Sequence, residues 1–279
     1  QTLASRNNLA LSYQAAGDLG RAIPLLTQTL TDRERILGPD HPDTLATRNN
    51  LASAYQPAGD LGRAIPLLTQ TLTDRERILG PDHPDTLASR NNLALSYQAA
   101  GDLGRAIPLL TQSLTDRERI LGPDHPDTLA SRNNLALSYQ AAGDLGRAIP
   151  LLTQTLTDSE RILGPDHPDT LTTRHNLASA YMTAEEWSLA ERTLRAQIAR
   201  LRRAPGPDDS RTIFCQRNLA VVLWRQSRQH EAKRLMGEGT RTAYEALGLE
   251  HALTQTLLAD YEAMTKALED VGDEDGDVR

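Results

Sequence analysis

Cysteine occurs once in these 279 residues, at position 215, and phenylalanine once, at 214; aromatic residues together make up only 4%. A lone thiol closes no internal disulfide, so covalent staples are excluded and a reducing, cytoplasmic setting is expected. Eighteen consecutive apolar residues occur nowhere, so no membrane-spanning helix and no membrane partner are expected. Cations do not dominate any broad stretch: 30 Lys and Arg stand against 37 Asp and Glu, for a net charge of −7. A phosphate backbone needs an extended basic surface, so nucleic acid is not expected as a partner. No P-loop, glycine fingerprint, Ser–His–Asp or Cys–His arrangement is present, and neither enzyme activity nor a cofactor is expected. His41, His83, His125 and His167 each stand in a DHPD segment. At one per repeat they cannot converge as the three or four ligands of a metal site, so no metal is expected. They read as linker residues, with proline fixing the chain and the following Asp capping the next helix. Glu185 and Glu186 read as a solvated turn pair rather than an acid/base dyad.

What the chain has instead is repetition. Thr44–Asp85 recurs as Thr2–Asp43 with four differences (Ser5, Leu11, Ser12 and Ala15 for Thr47, Ser53, Ala54 and Pro57). Thr86–Asp127 departs from the first copy only at Ser113, and Thr128–Asp169 only at Ser159. Two degenerate copies, 170–211 and 212–253, keep the register. Six repeats of 42 residues therefore fill 2–43, 44–85, 86–127, 128–169, 170–211 and 212–253, a period that signals a solenoid. In the second copy, Asp43 or Thr44 is expected to cap a first helix reaching about Ala58, with Gly59 as its left-handed stop. Leu45, Leu51, Ala52 and Tyr55 share one face of that helix. Asp60 caps a second helix with Leu61, Ala64, Ile65, Leu68, Leu72 and Leu79 inward, ended by Gly80 and Pro81. Pro66, like Pro24, Pro108 and Pro150, falls inside this helix and should bend it slightly. Neighbouring repeats must stack, since one helix pair cannot bury its own apolar face.

Leu51, Ala52, Tyr55, Gly59 and Ala64 resemble the tetratricopeptide signature, and the RNNLAxxY…G…A…LGPDHPDT wording is similar to its kinesin-light-chain type. About nine tenths of the chain is covered. The resemblance implies an all-α, right-handed α-solenoid of helix-turn-helix repeats that binds a protein or peptide. Such repeats resemble those at the C-terminal end of bacterial, actinomycete-like signal-transduction NTPases, where they act as sensors. Two departures stand out: Arg48 where an aromatic residue is usual, and Glu185 in the Gly59 position. Arg48, with Arg6, Arg90, Arg132 and Arg174, points toward the apolar arc and is expected to pair with acids of the TDRER segments such as Glu34 or Glu76.

The resemblance assigns the first helices to a concave groove, which makes the candidate binding residues Asn49, Asn50, Gln56, Asn91, Asn92, Gln98, Asn133, Asn134 and Gln140. Asparagine carries donors and an acceptor, so these amides could pair with an extended peptide or could ladder between adjacent helices. In the fifth and sixth repeats the same stripe carries His175, Asn176, Met182, Phe214, Arg217, Asn218, Trp224 and Arg225. Aromatic and Arg side chains anchor binding hot spots, while terminal repeats also depart from consensus because they cap a stack. Trp187, at the Leu61 position, reads as core. Arg192, Arg195, Arg200, Arg202 and Arg203 read as a solvated face that could hold an acidic partner or the tail.

Residues 254–270 read as a capping helix with an apolar stripe from Leu257 to Leu268, and 271–279 as an acidic disordered tail. The chain opens on Gln1, inside a repeat, so it is expected to continue a longer protein. Three functions fit: a sensing or partner-recruiting arm, a spacer or self-associating scaffold, or an accessory that recruits substrate to an upstream catalytic domain.

Overall fold

The structure, a computed structural model, describes residues 2–274; the expected acidic tail lies outside the described residues from 275 onward. Two compact bodies make up the chain, Gln1–Asp144 and Leu145–Arg279. The first holds α1 (Leu3–Ala15), α2 (Leu19–Leu37), α3 (Pro42–Tyr55), α4 (Leu61–Leu79), α5 (Pro84–Ala99), α6 (Leu103–Leu121) and α7 (Pro126–Ala141). The second holds α8 (Leu145–Ile162), α9 (Pro168–Thr183), α10 (Trp187–Leu201), α11 (Ser210–Arg225), α12 (Gln229–Leu247) and α13 (Ala252–Glu274). No strand occurs among the described residues, and the fold is an all-α solenoid of repeated helix pairs. α13 continues to Glu274, so residues 271–274 are helical where the sequence suggested disorder.

Helix starts follow from the punctuation of each repeat, with one correction. Pro42 occupies the first turn of α3, where its missing N–H leaves nothing unpaired. His41, not Asp43 or Thr44, is the cap: its Nδ1 accepts the Asp43 N–H at 3.1 Å. Asp43 lies one step inside, where its charge suits the positive helix end. His83, His125 and His167 open α5, α7 and α9 in the same way. At the end of the fifth repeat Asp209 takes the histidine position, opening α11, and accepts the Arg211 N–H at 3.0 Å. The second helices start at Asp18, Asp60 and Asp102, each accepting the N–H of the arginine three residues on.

Each second helix runs unbroken through its internal proline. α3 stops at Tyr55, short of the expected Ala58, whereas α5 and α7 reach the positions equivalent to 57. Pro57 stands there only in the second repeat and offers no N–H to close another turn.

Cores form between repeats rather than within them. Ala10 of α1, Leu26 and Leu30 of α2, Leu51, Ala54 and Tyr55 of α3 and Ala64 of α4 make one cluster. Ala52, Leu68, Leu72, Leu93, Tyr97 and Ala106 make the next, from α3, α4, α5 and α6. α3 and α4 are thus shared by the two clusters, as stacking requires. In the second body a single cluster runs from Ala178 of α9 to Met264 of α13.

Between the apolar clusters lies a charged seam. Arg48 is 2% exposed, and its guanidinium meets Asp74 at 2.7 Å and Glu34 at 3.3 Å. Arg90 repeats this with Asp116 at 2.6 Å and Glu76 at 2.9 Å. Arg132 pairs with Glu118 at 3.1 Å, and Arg174 with Glu160. The arginine that departs from the family pattern is therefore held by one acid of the preceding repeat and one of its own. A second buried arginine escaped the sequence reading: Arg75 donates to the Asp85 carbonyl at 2.8 Å and the Ser89 hydroxyl at 2.7 Å. Burial pushes its pKa below the ordinary arginine value, against the pull of Asp85.

Candidate functional site

In the first body the amides form a ladder. Asn50 Nδ2 donates to Asn7 Oδ1 at 3.4 Å, Asn92 to Asn49 at 3.3 Å, and Asn134 to Asn91 at 3.2 Å. The second Asn of each repeat thus donates to the first Asn of the repeat before. Gln56 reaches forward to the Asn92 carbonyl at 3.2 Å and to the Ser96 hydroxyl. Each rung leaves one donor and one acceptor over: Asn49 and Asn91 use Oδ1 but not Nδ2, and Asn50 and Asn92 use Nδ2 but not Oδ1, among the described residues. Gln98 keeps a buried Oε1 with no partner. Asn133, Gln140 and Asn176 are each engaged in polar or ring contacts.

The departures in the second body do not form one surface. His175 of α9 and Phe214 of α11 meet with ring centroids 5.5 Å apart, and Phe214 stays exposed. Arg217 is taken up by Asp260 of α13 at 2.6 Å. Met182, Trp187 and Trp224 pack against the core cluster, and the Arg225 guanidinium lies 6.0 Å from the Trp187 ring centroid. Asn218 is buried. Of the arginine run on α10, Arg195 pairs with Glu191 and Glu231, and Arg200 with Asp166.

Beside His175 and Phe214, a cavity of about 710 Å³ opens at the N-terminal ends of α9, α11 and α13. Leu171, Gln197, Leu201 and Leu253 line it with them. Gln197, Leu201 and the adjoining Cys215 were absent from the sequence-derived site. Their signal was positional: they replace the Thr71, Arg75 and Ser89 equivalents of the regular repeats.

Burial drives the Cys215 thiol up to about 12, so it stays protonated and is a poor nucleophile. The DHPD histidines spend a ring nitrogen on helix caps. Among the described residues no group of three or more His, Cys, Asp or Glu converges on a metal position, and no helix is long and apolar enough to cross a membrane.

Comparison with known proteins places these features. A tetratricopeptide repeat family model matches residues 1–77, 49–118, 91–160 and 175–245, well over half of the chain. The chain belongs to the tetratricopeptide repeat family. Within it the repeats are of the kinesin-light-chain type. A protein from Podosopora anserina described as a kinesin light chain with nearly identical TPR-like repeats is 34% identical, over 73% of this chain and 96% of that one, with a TM-score of 0.64. BtubC (BKLC) from P. vanneervenii shares the fold at 18% identity, over 84% of this chain and 94% of that one, with a TM-score of 0.70. A signal transduction ATPase with numerous domains and a tetratricopeptide repeat sensor, from Pyrococcus horikoshii, is 14% identical with a TM-score of 0.72. It is matched over 94% of this chain and 38% of its own length. A search of curated proteins found no significant match.

Proposed function

We propose that this chain is a non-catalytic module that binds polypeptide, the recruiting or sensing arm of a larger regulatory protein. The unused Nδ2 and Oδ1 of successive Asn pairs carry this reading. An extended peptide needs one acceptor and one donor at regular intervals, and the ladder supplies both whatever the peptide's side chains. Ladder and peptide contact are therefore compatible, since each amide has capacity for both. The sensor role draws support from the fold shared with the Pyrococcus horikoshii ATPase, whose repeats are a sensor. Selection of linear peptides from a display library on the full chain tests the reading. Enrichment that is lost with N49A/N91A at unchanged melting temperature is the expected result; no enrichment, or enrichment indifferent to the substitutions, refutes it.

One observation favours a second reading, a self-associating scaffold. Ile36, Ile78 and Ile120 occupy one position in successive repeats and are 54%, 37% and 37% exposed. Such a row offers the same apolar contact three times, so it suits avidity. Sedimentation of wild type against I36K/I78K/I120K separates the two: scaffolding requires a concentration-dependent oligomer that the triple variant abolishes.

A further inference from the structure

The cavity of the second body belongs to neither reading. We infer that it is a binding site for a small, uncharged apolar molecule carrying one hydrogen-bond donor, a hydroxyl or an N–H.

The cavity exists because the fifth and sixth repeats depart from the pattern at two facing positions. In the second repeat Arg75 spans from α4 to α5 and ends on the Ser89 hydroxyl at 2.7 Å. In the fifth repeat the equivalent of Arg75 is Leu201, and the equivalent of Ser89 is Cys215. A leucine is too short to reach across, so the space that an arginine occupies in the first three repeats becomes open and apolar. Leu171, Phe214 and Leu253 complete its walls. Its volume of about 710 Å³ falls in the range of roughly 300–1,000 Å³ typical of small-molecule sites.

Gln197 sets the polarity of the ligand. It stands where the regular repeats have Thr or Ser, lines the cavity and is 4% exposed. Its Nε2 donates to the Leu171 carbonyl at 3.2 Å, which fixes the orientation of the amide. Its Oε1 is then a buried acceptor with no partner. Leaving such a group unpaired is costly, and a ligand donor would satisfy it. His175 is held toward its neutral form by burial, His251 accepts the Leu253 N–H at 3.2 Å through Nδ1, and the one guanidinium in the wall, Arg211, is already paired with Asp209 at 2.9 Å. An extended polypeptide is disfavoured here because the amide ladder loses the first Asn of each pair: those positions carry His175, against Phe214, and Arg217, bound to Asp260.

The test uses the full chain and two probes of similar shape, 2-naphthol and 2-methoxynaphthalene, titrated by calorimetry. Wild type should bind 2-naphthol saturably, one per chain, and the methoxy compound about fivefold more weakly, the worth of one hydrogen bond. Q197T places in the fifth repeat a residue that three of the first four repeats already carry there, and should erase that preference. L201R/C215S recreates the Arg75–Ser89 pair and should weaken 2-naphthol by about tenfold or more. Should that variant fail to fold, L171W fills the cavity from α9 and should weaken it likewise. No saturable binding by wild type overturns the assignment, as does binding unchanged by the folded filling variants or a preference that survives Q197T. If L201R/C215S loses a displayed peptide while 2-naphthol never saturates, the occupant is a partner's side chain and the small-molecule assignment fails.

Discussion

Arg48 and Asp74 meet at 2.7 Å across one repeat, and the same guanidinium reaches back 3.3 Å to Glu34 of the repeat before. Arg48 is 2% exposed, Asp74 19% and Glu34 42%, so the burial cost falls almost wholly on the cation. Removing Asp74 strands most of that buried charge, and D74A should cost about 3 kcal/mol of unfolding free energy. E34A removes a longer contact to a half-hydrated acid and should cost about 1 kcal/mol or less. R48M should cost less than D74A, because the acids it leaves behind can be hydrated while methionine fills the apolar arc. Urea unfolding of the three variants checks the order. If E34A matched D74A, the seam between repeats rather than the bond within one would be holding the arginine.

Much of this fold could be read from four nearly unvaried copies, because Gly59 and Asp60 mark the turn between paired helices, Gly80 and Pro81 mark the end of the second helix, and leucine spacing marks the inner faces. What escaped depends on groups that only stacking brings together. Arg75 shares the inner face of α4 with Ala64, Leu68 and Leu72, and the partners that let its cation stay there, the Asp85 carbonyl and the Ser89 hydroxyl, come from the following helix. His41 looked like part of a linker, since no propensity separates an imidazole that caps from one that does not. The cavity was out of reach for the same reason. Leu201 and Cys215 stand 14 residues apart in sequence and become informative only once Arg75 and Ser89 are seen in contact. The amide stripe was legible as chemistry; that each Asn spends one group on its neighbour and keeps the other was not.

Helix capping by histidine makes a prediction of its own. The start of α11 shows that aspartate works at this position, since Asp209 accepts the Arg211 N–H at 3.0 Å. H83D should therefore hold the stability of wild type, while H83A leaves the Asp85 N–H unpaired and should cost about 1 kcal/mol. Thermal unfolding of both variants decides it, and equal losses would show that Pro84 alone sets the start of α5.

Two residues sit in the left-handed region without being glycine: Glu185 at φ 58° and Ser227 at φ 62°. Both fall where the first four repeats carry glycine, such as Gly59 at φ 75°. A Cβ in that conformation costs about 1–2 kcal/mol, against which glycine adds freedom to the unfolded chain. E185G and S227G should each raise stability by a net of about 0.5–1 kcal/mol. A lower melting temperature for E185G would mean that the glutamate side chain itself stabilises the turn.

His175 ties the second body to pH. Burial, with no charged group contributing, lowers its pKa from the ordinary value near 6.5. The folded chain therefore binds this proton less readily than the unfolded chain. Stability from this group is complete above about pH 6.5 and declines as pH falls from there toward the depressed folded value. Asparagine holds this position in the first four repeats, so H175N keeps a residue that the helix accepts and deletes the titration. Melting temperature measured between about pH 5 and pH 7.5 should fall more steeply on the acid side for wild type than for H175N, with the two curves parallel above the histidine range. Depressed carboxylates such as Asp209, held low by Arg211, add a further loss only nearer pH 4, below that window. Parallel curves throughout would place His175 in water, and with it would go the neutral wall of the cavity.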